Sequence, residues 1–138
     1  MEFEKLQRLG IGIVGAGRAA STLHLPALQA VPGAHVVAIA DPDQRALQQA
    51  TDEFQIPKGV ADYRVLLEDP AIEAIAICVP ASGHVEIALA ALEAGKHVFI
   101  EKPLALTLEE CDRLIKRAVG VPHTVMVGFN TRWHRLAR

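Results

Sequence analysis

The 138-residue sequence has few cysteines, few aromatic residues and no excess of charge of either sign. Its two cysteines, Cys78 and Cys111, are too few for a disulfide framework, so we expect a reducing compartment and the cytoplasm. Lys and Arg number 14 against 16 Asp and Glu, without blocks of like charge, which argues against nucleic-acid and anionic-membrane partners. Aromatics at 4% leave few surfaces for stacking bases or sugars, and no apolar run approaches the roughly 18 residues of a membrane span.

Apolar residues are plentiful instead, at 51% of the chain, which is enough for the core of one domain. Short Val- and Ile-rich runs alternate with helical patterns, and most runs lack the in/out alternation of a half-exposed strand. Continuous apolar strands are those buried on both faces of a sheet. We predict strands over residues 9–14, 35–40, 74–79, 96–100 and 124–127, with 59–61 as a weaker candidate.

Two helices are predicted clearly, over residues 81–94 and 107–119. Apolar residues recur at helical spacing in both, and a capping box marks the start of the second helix. Strands separated by helices imply right-handed βαβ units, so we predict an α/β fold with a doubly wound, mostly parallel sheet and helices on both faces. The apolar positions are Val85, Ala88, Leu89 and Leu92, then Cys111, Leu114, Ile115 and Ala118; the capping box is Thr107 with Glu110, and Gly95 and Gly120 follow the two helices.

The first predicted strand leads directly into a glycine loop at residues 15–20, which matches the pattern G-x-G-x-x-G/A. The first glycine permits a tight turn, the second has no Cβ to keep the backbone away from a pyrophosphate, and Ala20 lets the next helix lie close to the strand. The start of that helix offers free N–H groups to phosphates. We therefore expect the phosphates of a dinucleotide at Gly15, Ala16, Gly17, Arg18 and Ala19, with the Arg18 side chain either adding positive charge there or simply solvated.

An acidic residue, Asp41, ends the second predicted strand about 20 residues after the glycine loop, where a carboxylate binds a ribose diol. A carboxylate there repels a 2′-phosphate, which favours NAD over NADP, and Arg45, one helical turn further on, could partly offset that preference. Asp41 is also suited to cap a helix whose first residue is Pro42; the two roles can coexist, but capping alone requires no cofactor.

Two further stretches, residues 78–84 and 101–103, lie where the fourth and fifth predicted strands end. Ligands of open α/β sheets bind beyond the carboxyl ends of the strands. Lys102 stands there between Glu101 and Pro103, and is a candidate for transferring a proton or orienting a hydroxyl group.

The loop at 15–20, Asp41, the run 80–96 and above all Glu101-Lys102-Pro103 resemble the N-terminal Rossmann domain of the Gfo/Idh/MocA oxidoreductases. Residues 128–132 resemble that family's crossing into its C-terminal domain. The resemblance implies that Lys102 contacts the substrate hydroxyl and assists hydride transfer, and that its bond to Pro103 is cis. It also implies cofactor contacts by Pro80, Ala81, His84 and Glu101, with Glu101 at the nicotinamide ribose and His84 near the nicotinamide. The residues alone leave His84 open between this role and capping its own helix.

We accordingly expect an NAD-dependent oxidoreductase that acts on a secondary alcohol of a sugar or cyclitol. Residues 1–128 would form the Rossmann domain, and 129–138 would begin a truncated second domain. The family's second α+β domain, which carries the substrate wall and usually the oligomer interface, is expected to be absent, so the chain would bind cofactor without efficient turnover. Two alternatives remain, a non-catalytic dinucleotide-binding sensor and a methyltransferase that uses adenosylmethionine.

Three further expectations concern His24, metal sites and the C-terminal end of the sequence. His24 is assigned to helix packing, and no spacing of histidines or cysteines indicates a metal site. The apolar stripe Phe129, Trp133 and Leu136 is expected to be disordered or to be buried against a second copy, which would make the protein a homo-oligomer.

Overall fold

The computed structural model of the protein describes residues 8–133. These residues form one six-stranded sheet in which every neighbouring pair is parallel, in the order β3-β2-β1-β4-β5-β6. The predicted α/β Rossmann fold is confirmed. The order reverses between β1 and β4, which makes the carboxyl ends of these two strands the switch point where ligands of such sheets bind. The strands are β1 Leu9–Val14, β2 Ala34–Ala40, β3 Gly59–Val60, β4 Ala74–Ile77, β5 His97–Ile100 and β6 Val125–Val127.

Helices cover both faces of the sheet and divide the core into two clusters. On one face α3, α4 and α5 pack through fully buried residues such as Leu66, Ala88 and Leu114. On the other face the segment after β1 and α2 pack through residues such as Ala20 and Leu47. The helices are α1 Leu25–Gln29, α2 Gln44–Phe54, α3 Arg64–Leu67, α4 His84–Glu93 and α5 Leu108–Val119.

Element ends differ from the predictions where local chemistry intervenes. The ladder of β4 stops at Ile77 although the strand was predicted to 79, since Pro80 cannot donate to a ladder and the chain then turns through a 3₁₀ segment, Ala81–Gly83. The capping box of α5 is confirmed, with the Thr107 side chain accepting from the N–H of Glu110. The predicted apolar stripe of α5 is too wide, because Ile115 is 52% exposed while Leu114 is 1% exposed.

The helical segment after the glycine loop is irregular. It is a π-helix over Ala20–His24, in which the N–H of Leu25 donates to the carbonyl of Ala20, and it continues as α1. Pro26 accounts for the wider turn, because a proline inside a regular helix lacks a donor and its ring clashes with the carbonyl four residues earlier.

The predicted boundary near residue 128 falls at the end of β6, where a 3₁₀ turn, Asn130–Trp133, follows. Phe129 is 51% exposed. The Trp133 side chain and Leu136, the other members of the predicted stripe, lie outside the described residues. Within residues 8–133, no helix is long and apolar enough to cross a membrane.

Candidate dinucleotide-binding site

Gly15 sets the course of the chain where it leaves β1. Its φ of +101° is a left-handed conformation that side chains disfavour, and a Cβ there would lie 2.7 Å from the carbonyl oxygen of Cys78. Its N–H donates to the carbonyl of Ala40 at 2.8 Å, so the turn passes between the ends of β2 and β4. This is the tight turn that the sequence predicts for the first glycine.

Gly17 differs from Gly15 in having no internal reason to be glycine. Its φ is outside the left-handed region, and no atom of the described residues except its chain neighbours lies within 4 Å of a Cβ built on it. Neither backbone strain nor packing therefore explains the missing side chain. The open space is what a pyrophosphate needs in order to approach the main chain.

The helical segment beyond Gly17 packs as predicted and leaves its start available. Ala20 is fully buried against the sheet, which confirms the close packing expected of the last motif position. The helical turn starts at Arg18, with the N–H of Ser21 donating to the carbonyl of Gly17, and no side chain of residues 8–133 accepts from the N–H groups of Arg18, Ala19 or Ala20, so these groups can donate to a ligand. Arg18 is exposed beside this start, and none of the hydrogen bonds within residues 8–133 involves its guanidinium group.

Asp41 lies at the end of β2 and joins the glycine loop. Its Oδ2 accepts from the N–H of Ala16 at 2.7 Å, and its Oδ1 accepts from the N–H of Asp43 at 2.8 Å. The alternative that Asp41 caps a helix starting at Pro42 is wrong, because Asp43 caps α2 by accepting from the N–H groups of Arg45 and Ala46. Asp41 is therefore free of a capping role and stays beside the loop.

A cleft of about 380 Å³ lies between the carboxyl ends of β1, β2 and β4. Four residues that the sequence assigned to cofactor contacts line it: Gly15, Gly17, Asp41 and Pro80. Four more, Cys78, Val79, Ser82 and Gly83, belong to the stretch 78–84 that the sequence placed beyond the fourth strand. The sequence assigned no role in the site to the other two, Pro42, which follows Asp41, and Ile87, which lies in the first turn of α4.

A larger groove of about 530 Å³ lies along α2 and the start of β3. It contains no residue of the glycine loop and none from β1, β4 or β5, and its only charged lining residue is Asp52. We assign the site to the smaller cleft, because ligand chemistry in this fold occurs at the switch point.

Cys78, at the floor of the cleft, is 8% exposed. Burial, with a smaller contribution from the negative charge of Glu101, raises the pKa of its thiol to about 12. The thiol therefore stays neutral at physiological pH and contributes an apolar, unreactive surface to the cleft.

The Glu101-Lys102-Pro103 turn follows β5 and is held from two sides. The Lys102–Pro103 bond is cis, as the resemblance implies. His84 is 1% exposed, with Nδ1 2.7 Å from the Pro103 carbonyl oxygen and Nε2 2.9 Å from that of Val79. His84 thus connects the turn to the end of β4 instead of opening into the cleft. Lys102 is exposed, and its N–H donates to Oε2 of Glu101 at 2.9 Å.

His24 makes a contact that the sequence did not indicate. Its ring packs edge-on against Phe99, with centroids 5.2 Å apart, which is the packing role that we expected. Its Nε2 also lies 2.7 Å from Oε1 of Glu101. No local pattern could have revealed this pair, because 77 residues separate its members.

Two further residues that the sequence assigned to the cofactor, Arg45 and Ala81, are not among the residues that line the cleft. Ala81 is half-buried in the 3₁₀ turn that follows Pro80, and Arg45 is exposed in the first turn of α2. Among residues 8–133, no group of three His, Cys, Asp or Glu side chains could hold a metal ion.

Comparison with known proteins agrees with this geometry. The family model described as an oxidoreductase family with an NAD-binding Rossmann fold matches residues 9–129. The chain belongs to the Gfo/Idh/MocA oxidoreductase family. The resemblance first indicated by the Glu-Lys-Pro element is thereby confirmed.

Individual Gfo/Idh/MocA relatives include two inositol dehydrogenases. The chain is 34% identical to a myo-inositol 2-dehydrogenase from Thermotoga maritima, over 91% of this chain and 37% of that protein. It is 35% identical to an NAD(+)-dependent scyllo-inositol 2-dehydrogenase from Bacillus subtilis, over 91% of this chain and 35% of that protein. The chain therefore spans little more than a third of the length of these relatives.

Solved structures show the same fold. A probable dehydrogenase from Thermotoga maritima superimposes with a TM-score of 0.88 at 34% identity, covering 92% of this chain and 38% of that one. KijD10, a 3-ketoreductase from Actinomadura kijaniata solved with NADP and TDP-benzene, superimposes with a TM-score of 0.85 at 32% identity. That match covers 94% of this chain and 40% of the 3-ketoreductase.

Proposed function

We propose that this chain is the cofactor-binding domain of an NAD-dependent oxidoreductase that transfers hydride between a secondary alcohol of a sugar or cyclitol and the nicotinamide. The observation that carries the proposal is the open space at Gly17, which has neither a conformational nor a packing cause within the described residues. Its position between an uncapped helix start and the Asp41 carboxylate fits a dinucleotide, whose pyrophosphate and ribose need these two kinds of group.

Each group of the site has a role in this proposal. The glycine loop, with Arg18 at its rim, holds the pyrophosphate, and Asp41 accepts hydrogen bonds from the adenosine ribose. Pro80 and Ala81 lie against the cofactor, while His84 keeps their loop and the Lys102 turn at a constant separation. Glu101 faces the second ribose. When bound, the nicotinamide supplies the hydride chemistry, and Lys102 orients the substrate hydroxyl and assists removal of its proton.

NAD rather than NADP is the cofactor that the Asp41 geometry favours. Both carboxylate oxygens are already held by backbone N–H groups, so the charge is constrained in position and would repel a 2′-phosphate. The KijD10 3-ketoreductase was solved with NADP, so the family fold accepts either dinucleotide. Arg45 is the one nearby cation on α2 that could attract a 2′-phosphate.

Calorimetric titration of the 138-residue chain tests the cofactor assignment. We expect NADH to bind at least about tenfold more tightly than NADPH, because a like-charge contact near a carboxylate costs about 1–2 kcal/mol. Asp41→Ala should reduce the ratio of NADH affinity to NADPH affinity, and Arg45→Ala should increase it. Binding of adenosylmethionine without binding of NADH would support the methyltransferase alternative and refute the proposal.

The catalytic assignment concerns Lys102. In a protein as long as the inositol dehydrogenase relatives, Lys102→Met should abolish oxidation of inositols and related polyols. Its affinity for NADH should stay within about twofold of the wild-type affinity, because the lysine acts on the substrate rather than on the phosphates. Unchanged turnover would favour the non-catalytic sensor instead. The 138-residue chain itself is proposed to bind cofactor with little turnover, which a direct assay with NAD and inositols can measure.

A further inference from the structure

The His24–Glu101 pair lies outside the cleft of the proposed cofactor site, yet both side chains are sheltered from solvent. The two side chains are only 17% and 16% exposed. Phe99, on β5 two residues before Glu101, packs edge-on against the imidazole of His24 and limits how the ring can rotate. A hydrogen bond to a carboxylate in such a sheltered position is stronger than the same contact in open water.

Glu101 transmits this contact to the neighbouring turn. Oε1 is held by His24, and Oε2 accepts from the backbone N–H of Lys102 at 2.9 Å. One carboxylate therefore connects an imidazole on the first helical segment to the peptide group of Lys102. Without His24, Glu101 is free to choose other rotamers, and the N–H of Lys102 loses a fixed acceptor.

The π-helix explains how His24 is placed for this contact. His24 is the last residue of the π segment, and the Leu25 N–H reaches back five residues to Ala20. This wider turn rotates the positions that follow relative to a regular α-helix, and such insertions occur often at functional sites. Pro26 makes the regular alternative unfavourable. The same segment begins directly after Gly17, at the phosphate end of the cleft.

We propose that His24 is a positioning residue that couples the glycine loop to the Glu101–Lys102 turn through the carboxylate of Glu101. This inference rests on the proposed function, because it assumes that Glu101 faces the nicotinamide ribose. His24 acts only through Glu101 and touches no reacting atom. Its role differs from that of His84, which holds the same turn from the opposite side through the carbonyl of Pro103.

Paired titrations with NADH and ADP separate this role from general stability. ADP has two linked phosphates and the adenosine ribose but lacks both the nicotinamide ribose and the nicotinamide ring. In His24→Leu, we expect the affinity of the 138-residue chain for NADH to fall about tenfold, as for the loss of one charge-assisted hydrogen bond, while its affinity for ADP stays within about twofold. His24→Gln, which keeps an N–H donor at similar reach, should restore most of the NADH affinity.

Two controls make the result specific. His123→Leu removes an imidazole just before β6, at the opposite end of the strands, and should leave both affinities unchanged. His24→Leu in a Glu101→Gln background should cost nothing further if His24 acts through that carboxylate. Without any ligand, the amide NMR signal of Lys102 should move in His24→Leu and stay near the wild-type position in His24→Gln.

The outcomes distinguish the inference from the function on which it rests. Equal losses of affinity for NADH and ADP, or no loss of NADH affinity in His24→Leu, would overturn the positioning role while the cofactor assignment stands. If His24→Leu does not fold, His24→Gln provides the test instead. A ratio of NADH affinity to ADP affinity that differs from the wild-type ratio in His24→Gln would equally overturn the positioning role. A wild-type chain that binds neither ligand would overturn the proposed function and this inference with it.

Discussion

Replacing Gly17 by alanine separates folding from cofactor binding. The built Cβ meets no described atom within 4 Å, and the φ of Gly17 is outside the left-handed region, so the folded chain should accept the methyl group. Alanine also restricts the unfolded chain, which should raise the free energy of unfolding by about 0.4–1 kcal/mol. The same methyl group projects into the space assigned to the pyrophosphate. The loss of one or two charge-assisted hydrogen bonds from N–H groups there should lower the affinity for NADH about 10- to 100-fold.

Chemical denaturation and calorimetric titration of the same preparations measure both effects. Gly15→Ala is the matched control, because a Cβ there requires a φ of +101° and lies 2.7 Å from the Cys78 carbonyl oxygen. That variant should lose stability as well as affinity. A Gly17→Ala chain that binds NADH within about twofold of wild type would refute the reasoning, since the space at Gly17 would then serve no ligand.

Three further predictions concern stability. Folding raises the pKa of the Cys78 thiol from 9.0 to about 12, so above pH 9 the thiol ionises in the unfolded chain but stays protonated in the folded one. The free energy of unfolding should therefore fall by up to about 1.4 kcal/mol per pH unit above pH 9. In denaturation curves between pH 8 and 11, Cys78→Ala should lack this part of the pH dependence. Thr107→Ala should cost about 1 kcal/mol by removing the cap of α5, and Thr107→Ser, which keeps the acceptor, should cost little. Lys96→Met should cost about 2 kcal/mol or more in urea denaturation, because the buried ammonium donates to the carbonyls of Asp69 and Ile72; a change within about 0.5 kcal/mol would contradict that assignment.

The central part of the site was predictable because its determinants are local. The site depends on a glycine at a tight turn, a glycine that leaves space for a ligand and a carboxylate at the end of the next strand. Each of these features is set by a few consecutive residues in a βαβ unit. Gly15, Gly17, Asp41 and Pro80 consequently line one cleft. The capping box of α5 was predictable for the same reason, since all its hydrogen bonds lie within four residues.

Competing local roles could not be separated without the structure. Asp41 and Asp43 are both suitable caps for α2, and only the backbone course shows that Asp43 takes that role. The exposure of Ile115 was equally hidden, because helical spacing defines a stripe but not how much of it a neighbouring sheet covers. The extent of coverage depends on where α5 lies relative to the edge of the sheet.

The sequence by itself determined the alternation of strands and helices, the glycine loop and the Glu-Lys-Pro turn, because periodicity and turn chemistry act over a few residues. The tertiary structure alone decided which distant groups meet. It turned His84 inward to connect Val79 and Pro103, and it brought His24 against Glu101. The reason is physical: parallel strands that are neighbours in the sheet are separated by whole helices in the chain, so contacts across their ends depend on packing and have no signature in local sequence.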